Sequence, residues 1–156
     1  MPEHSLDNTD FTILDELQKD GKISNAKLAS QLAMSESPCW RRLKKLEDEG
    51  FIEGYHAKLN RRKVGYGVLS FVTMTCALHD EKTKAEFEAL VKQSENIQSC
   101  HNTAGNTDFV MQVVARDLDD YSHFVDSVLR KLPGVVSVQS NLSLRELKSS
   151  TRLPIK

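Results

Sequence analysis

The chain lacks any apolar run approaching the roughly 20 residues that span a bilayer, and its acidic, polar start, MPEHSLDNTD, lacks the charged-then-apolar layout of a secretion signal. A globular protein of the cytoplasm with no membrane partner is expected. Cysteine is scarce. Cys39, Cys76 and Cys100 are odd in number and far apart, with no CxxC pair and no metal-like His/Cys spacing, so buried thiols are expected rather than a disulfide framework or a metal site. Cys100 and His101 adjoin, but neighbours on a strand point to opposite faces. Also missing are a nucleophile beside a partnered base and a glycine loop that would cradle phosphate, which argues against an enzyme and against a bound cofactor. Excess charge is absent too: the formal net charge is −1, too little for non-specific coating of a polyanion.

What is present is segregated charge and well-punctuated helices. Basic residues gather at Arg41, Arg42, Lys44 and Lys45 and again at Lys58, Arg61, Arg62 and Lys63, while acidic groups cluster elsewhere, at Glu81, Glu86, Glu88, Asp117, Asp119 and Asp120. With 156 residues and a hydrophobic fraction of 39%, the chain is long enough for two small domains. A first helix is predicted from an Asp7 cap, with Leu6 and Phe11 in staple spacing, Ile13, Leu14 and Leu17 as its apolar stripe and Gly21 beyond its end. Ser24 caps a second, short helix whose inward face is Leu28, Ala29 and Leu32. Ala33, Met34 and Ser35 form a tight turn, and Pro38 falls in the first turn of a third helix that starts at Ser35 or Ser37.

At about 100° per residue, Cys39, Leu43 and Leu46 share the buried side of that third helix, and Ser37, Arg41, Lys44, Lys45 and Asp48 point away from it. Such a helix places Ser37, Arg41 and Lys45 against base edges and phosphates of a major groove, the arrangement of a helix-turn-helix reader. Trp40 and Arg42 lie on its flanks, and Trp40 is expected to pack against the adjoining helices.

After a short extended segment from Phe51 to Leu59 and a flexible stretch ending at Gly65-Tyr66-Gly67, the period changes. Strands are expected from Val68 to Leu78, Ile97 to Thr103, Phe109 to Ala115 and Val135 to Leu144, with helices from about Glu81 to Gln93 and from Leu118 to Leu132. The order βαββαβ is the ferredoxin-like arrangement, an antiparallel sheet with both helices on one face, so the fold class is α+β. Leu69, Phe71, Val110 and Val114 fall on the second face, which two helices do not cover. A two-fold dimer through that face is expected, presenting two reading helices to successive turns of DNA.

The stretch from Leu6 to Gly54, centred on Ser35-Glu36-Ser37-Pro38-Cys39-Trp40-Arg41-Arg42-Leu43-Lys44-Lys45-Leu46-Glu47, closely resembles the Lrp/AsnC (feast/famine, leucine-responsive) family of transcriptional regulators. The resemblance continues through Ala104-Gly105-Asn106-Thr107-Asp108, Leu132-Pro133-Gly134-Val135 and Thr151-Arg152-Leu153-Pro154-Ile155. It implies a winged-type helix-turn-helix domain over residues 1–54, a linker over 55–67 and a ferredoxin-like (RAM) dimerisation and sensing domain over 68–156. The DNA contacts it implies are Ser35, Ser37, Pro38, Arg41, Arg42, Lys44 and Lys45 on double-stranded DNA. It also implies a small amino acid as effector at Gly105, Asn106, Thr107 and Asp108, between copies of a homodimer that assembles to an octamer in the nucleoid. A glycine at positive φ that turns amide N–H groups toward a carboxylate, with Asp108 meeting an ammonium group, is the expected chemistry of that turn. The competing expectations are an architectural, nucleoid-like DNA-binding protein without effector and an amino-acid-binding metabolic module.

Overall fold

The structure, a computed structural model, describes residues 6–155. It falls into two compact units: the chain through Lys58 together with the segment from Lys148, and Leu59–Leu147.

The first unit is three helices: α1 (Asn8–Lys19), α2 (Asn25–Gln31) and α3 (Glu36–Asp48). Their starts follow local chemistry. Asp7 and Asp10 form a reciprocal capping box on α1, and the Ser24 hydroxyl accepts the Lys27 N–H on α2. Between α2 and α3 the chain turns through Ala33 at φ 50°, and Ser35 caps α3 in an extended conformation without a side-chain hydrogen bond. The apolar stripes of all three meet in one core of Ile13, Leu28, Ala29, Cys39 and Leu46, with Leu6, Leu14, Leu17, Ile23, Leu32, Met34, Leu43 and Ile52 packed around it. Each full burial of a Leu or Ile contributes about 1.5–3 kcal/mol, which is how a seven-residue α2 holds its shape. No strand follows α3 among the described residues of this unit, so the implied wing carries no β-structure here. The chain's end joins the unit: the Gln18 side-chain amide donates to the Leu153 carbonyl and accepts the Leu153 N–H, while Arg152 pairs with Asp15. The segment from Lys148 thus groups with α1 in the first compact unit.

The second unit is a four-stranded antiparallel sheet, in the order β2-β3-β1-β4, built from β1 (Val68–Cys76), β2 (Ile97–Asn102), β3 (Phe109–Ala115) and β4 (Val135–Leu142). Helices α4 (Glu81–Gln93) and α5 (Leu118–Ser127) supply Phe87, Tyr121 and Phe124 to a core completed by Val72, Met74, Met111 and Val113 from the central strands. The one buried polar side chain among the described residues, Ser70, bonds to the Tyr121 hydroxyl at 2.9 Å. Helix α5 is shorter than the periodicity predicts. It stops at Ser127, whose hydroxyl bonds back to the His123 carbonyl. Val128 then leaves helical geometry, and a 3-10 turn over Leu129–Lys131 still delivers Leu129 and Leu132 to the core. The strands β1, β2 and β4 also end early, at Cys76, Asn102 and Leu142. On the opposite sheet face, Leu69 and Val114 are directly paired and buried. Phe71 is half exposed, and the rest of that face is mostly polar, with Thr73, Gln112, Gln139 and Asn141 in register.

Candidate nucleic-acid interface

The turn between α2 and α3 is fixed from both sides. The Met34 N–H reaches back to the Ala29 carbonyl, and the Asn25 side-chain amide donates to the Glu36 carbonyl at 3.0 Å, stitching the start of α2 to the start of α3. With Cys39 and Leu46 fully buried and Leu43 against them, the opposite side of α3 must face solvent. Ser37, Arg41 and Lys45 are exposed there, as expected, and Pro38 sits half-buried in the first turn. Arg41 has no hydrogen bond or ion pair among the described residues. That leaves its five donors available to a base edge or a phosphate.

The other basic residues of α3 differ in their freedom. Lys44 pairs with Asp48 at 2.8 Å and Lys45 approaches Glu49 at 3.8 Å, both solvent-screened pairs one helical turn apart that hold weakly and break readily. Arg42 is tied more firmly. Its Nη1 lies 2.7 Å from Asp7 and 2.8 Å from Asp10, the two carboxylates of the α1 cap. The Asp10 N–H and the Arg42 guanidinium together hold the Asp7 carboxyl below its ordinary value. Arg42 therefore joins α3 to α1 and points away from the solvent face.

Trp40 departs from its expected place. It is 55% exposed and lines a shallow depression with Asn25, Glu36, Ser37 and Arg41. The inner stripe is already filled by Cys39, Leu43 and Leu46. Helical geometry sets residue 40 beside 37, 41 and 44, a spacing of i, i+3, i+4 and i+7 that identifies the outer face from sequence alone.

Two family descriptions cover this chain: winged helix-turn-helix DNA-binding over residues 6–53 and Lrp/AsnC ligand binding domain over residues 69–153. The leucine-responsive regulatory proteins of Escherichia coli K12 and Salmonella typhimurium are each 37% identical over 155 residues, 99% of this chain and 94% of theirs. The chain belongs to the Lrp/AsnC family. A transcriptional regulator from Neisseria meningitidis solved as an L-Met complex superposes with a TM-score of 0.91 at 37% identity, covering 96% of this chain and 97% of that one. An AsnC family transcriptional regulator from Agrobacterium tumefaciens gives 0.90 at 30% identity, with the same coverage. These named relatives are regulators, and the α+β architecture of two units is theirs as well.

The Lrp/AsnC ligand-binding unit carries its candidate effector turn between β2 and β3. The Thr103 N–H donates to the Asp108 carbonyl and the Thr103 hydroxyl to the Thr107 carbonyl, closing the turn. Gly105 is exposed but is not among the residues at positive φ, so the amide-nest geometry expected of it is not formed. Threonine closure makes the turn without a left-handed residue. One Asp108 carboxylate oxygen accepts the Cys76 N–H at 2.7 Å, and the Asp108 N–H donates to the Met74 carbonyl, so Asp108 locks the end of β1. Its expected role as an ammonium partner falls to the acceptor sites that this bond leaves free. Gly105 and Asn106 face solvent with Asp108, while Thr107 is half-buried. Burial, helped by Asp108, pushes the nearby Cys76 thiol up to about 11, and burial raises Cys100 too, so both thiols stay protonated.

Proposed function

We propose that this Lrp/AsnC family chain is a transcriptional regulator that binds duplex DNA through the outer face of α3 and responds to a small amino acid. The carrying observation is Arg41: it sits exposed and unpartnered among the described residues, beside exposed Ser37, on a helix whose other side is fully packed. Arg42 acts as a strut for that helix, and Ser35, Ser37, Pro38, Lys44 and Lys45 set its register on the backbone.

The effector reading centres on Gly105, Asn106, Thr107 and Asp108. A small ligand held usefully is buried over most of its surface. An exposed turn in one chain buries little, so a second copy supplies the other wall. The uncovered sheet face, with Leu69, Phe71, Val110 and Val114, pairs two copies, and the turns meet when such dimers associate further, toward an octamer. An amino acid that binds only between copies shifts the assembly by the difference in its affinity for the two states. The protein works in the cytoplasm, on the nucleoid.

Anisotropy titrations with duplexes from the protein's own upstream region and with random duplex, at moderate salt, test the DNA reading. Equal micromolar affinity for both sinks it. Thermal shift against the common amino acids, L-Met first, tests the sensor reading. No stabilisation by any of them favours an architectural protein without effector. Sedimentation at micromolar concentration showing a monomer refutes the paired sheets.

A further inference from the structure

We propose that Trp40 is a specificity-determining residue, its exposed indole seating a thymine 5-methyl group in the major groove beside the base read by Arg41. The proposal rests on the DNA-reading function of α3. It starts from the chain's single Trp, which is 55% exposed on the solvent side of α3. An indole, apolar over its faces with one N–H at its edge, is suited to a contact surface.

The surroundings specify the contact. Trp40 stands one helical turn after Ser37 and Glu36 and immediately before Arg41, and these four with Asn25 line a depression of about 450 Å³. It lies over the first turns of α3, where a reading helix meets base edges. One wall is the flat apolar indole and the other is the charged guanidinium. Two neighbouring base pairs, one offering a methyl group and the next a pair of acceptors to the major groove, suit that arrangement: apolar contact recognises the thymine methyl, and a guanidinium recognises the paired acceptors of the guanine. Asn25 adds a second observation. Its Nδ2 is committed to the Glu36 carbonyl, while its Oδ1 is covered and has no partner among the described residues. A buried acceptor left unmet costs stability and calls for an explanation. A base amino group entering the depression, with a small rotation of the Asn25 side chain, supplies the missing donor.

The test removes the methyl group from the DNA and the indole from the protein. A duplex selected from a random pool by the wild-type protein is prepared with each thymine replaced in turn by uracil. Affinities are then measured for wild type, Trp40→Ala, Trp40→Phe and Arg41→Ala. Wild type should lose about 5- to 10-fold at one thymine, within the range of a single direct contact. Trp40→Ala should bind the parent duplex about 10-fold more weakly and show no further loss at that thymine. Trp40→Phe should keep part of the penalty, and Arg41→Ala should keep all of it. Thermal melting of Trp40→Ala should match wild type, because the side chain is mostly in solvent. A Trp40→Ala protein with the full uracil penalty, or with one uniform loss on selected and random DNA alike, overturns the proposal and leaves the regulator reading intact. A wild-type protein that selects no duplex from the pool removes both.

Discussion

Arg42 is where a structural role and a DNA-contact role give opposite results, and Arg42→Ala separates them. Its Nη1 bridges Asp7 Oδ2 and Asp10 Oδ1, at 2.7 and 2.8 Å, and the same two aspartates cap α1 by accepting each other's backbone N–H. Removing the guanidinium leaves two carboxylates facing each other with no cation between them. The Asp7 pair is exposed and screened by solvent, so it contributes little. The Asp10 side chain is only 13% exposed, so its charge-assisted bond is less screened. A hydrogen bond to a charged group adds about 1.5–3 kcal/mol, reduced here to about 1 because Arg42 itself is more than a third exposed. The expected loss is about 1–2 kcal/mol from the three-helix unit.

Urea unfolding followed by the fluorescence of Trp40, the chain's single Trp and a resident of α3, reads that loss directly. A 1 kcal/mol loss corresponds to a melting shift of roughly 4–8 °C in a domain of 60–100 residues. The same variant should leave the slope of log affinity against log salt unchanged, because each phosphate contact removed lowers that slope by about 0.9. Double-mutant analysis with Asp10→Asn should return a coupling energy near the single-variant loss. Unaltered unfolding combined with a slope reduced by about 0.9 would refute the strut assignment and make Arg42 a phosphate contact.

Three further outcomes are expected. Arg41→Ala should cost about 1–3 kcal/mol of DNA binding, concentrated at one operator position, with melting unchanged; a loss blind to sequence would move Arg41 from a base to a phosphate. Asp120 accepts from the Arg116 guanidinium and from the Arg116 N–H, which together hold its carboxyl down at about 2. Because the folded value is lowered from 3.8, this contribution is fully present above 3.8 and is lost as pH falls toward and through 2. Arg116→Ala should bring the Asp120 midpoint, read by NMR, part of the way back to 3.8, and an unmoved midpoint would contradict the cause. Gly134 lies at φ 72°, where a Cβ would stand 2.9 Å from the Ala77 carbonyl oxygen, so Gly134→Ala should destabilise the sheet unit by about 1–3 kcal/mol in urea; a neutral result would mean the turn relaxes freely.

What was legible in the sequence divides by the range of the interaction. Caps and stripes act over three or four residues, so Asp7 and Ser24 announce helix starts where the structure has them, and the βαββαβ order follows from period alone. The break in α5 was hidden because it leaves the apolar spacing of Val128, Leu129 and Leu132 undisturbed. At the site, the same limit applies in sharper form. The direction of Arg41 follows from the stripe of Cys39, Leu43 and Leu46, but the engagement of Arg42 depends on Asp10, 32 residues away, and no pattern within α3 contains it. Asp108 is the parallel case: its composition as a turn acid was readable, its bond to the Cys76 N–H, 32 residues away across the sheet, was not. Trp40 differs from both, since its i, i+3, i+4 relation to Ser37 and Arg41 is contained within α3 and readable from spacing. A basic stripe on a reading helix is therefore best sorted by asking which cations already have an acid partner in the fold. In α3 that question leaves Arg41 with no acid partner among the described residues, and beside it an indole that the core did not need.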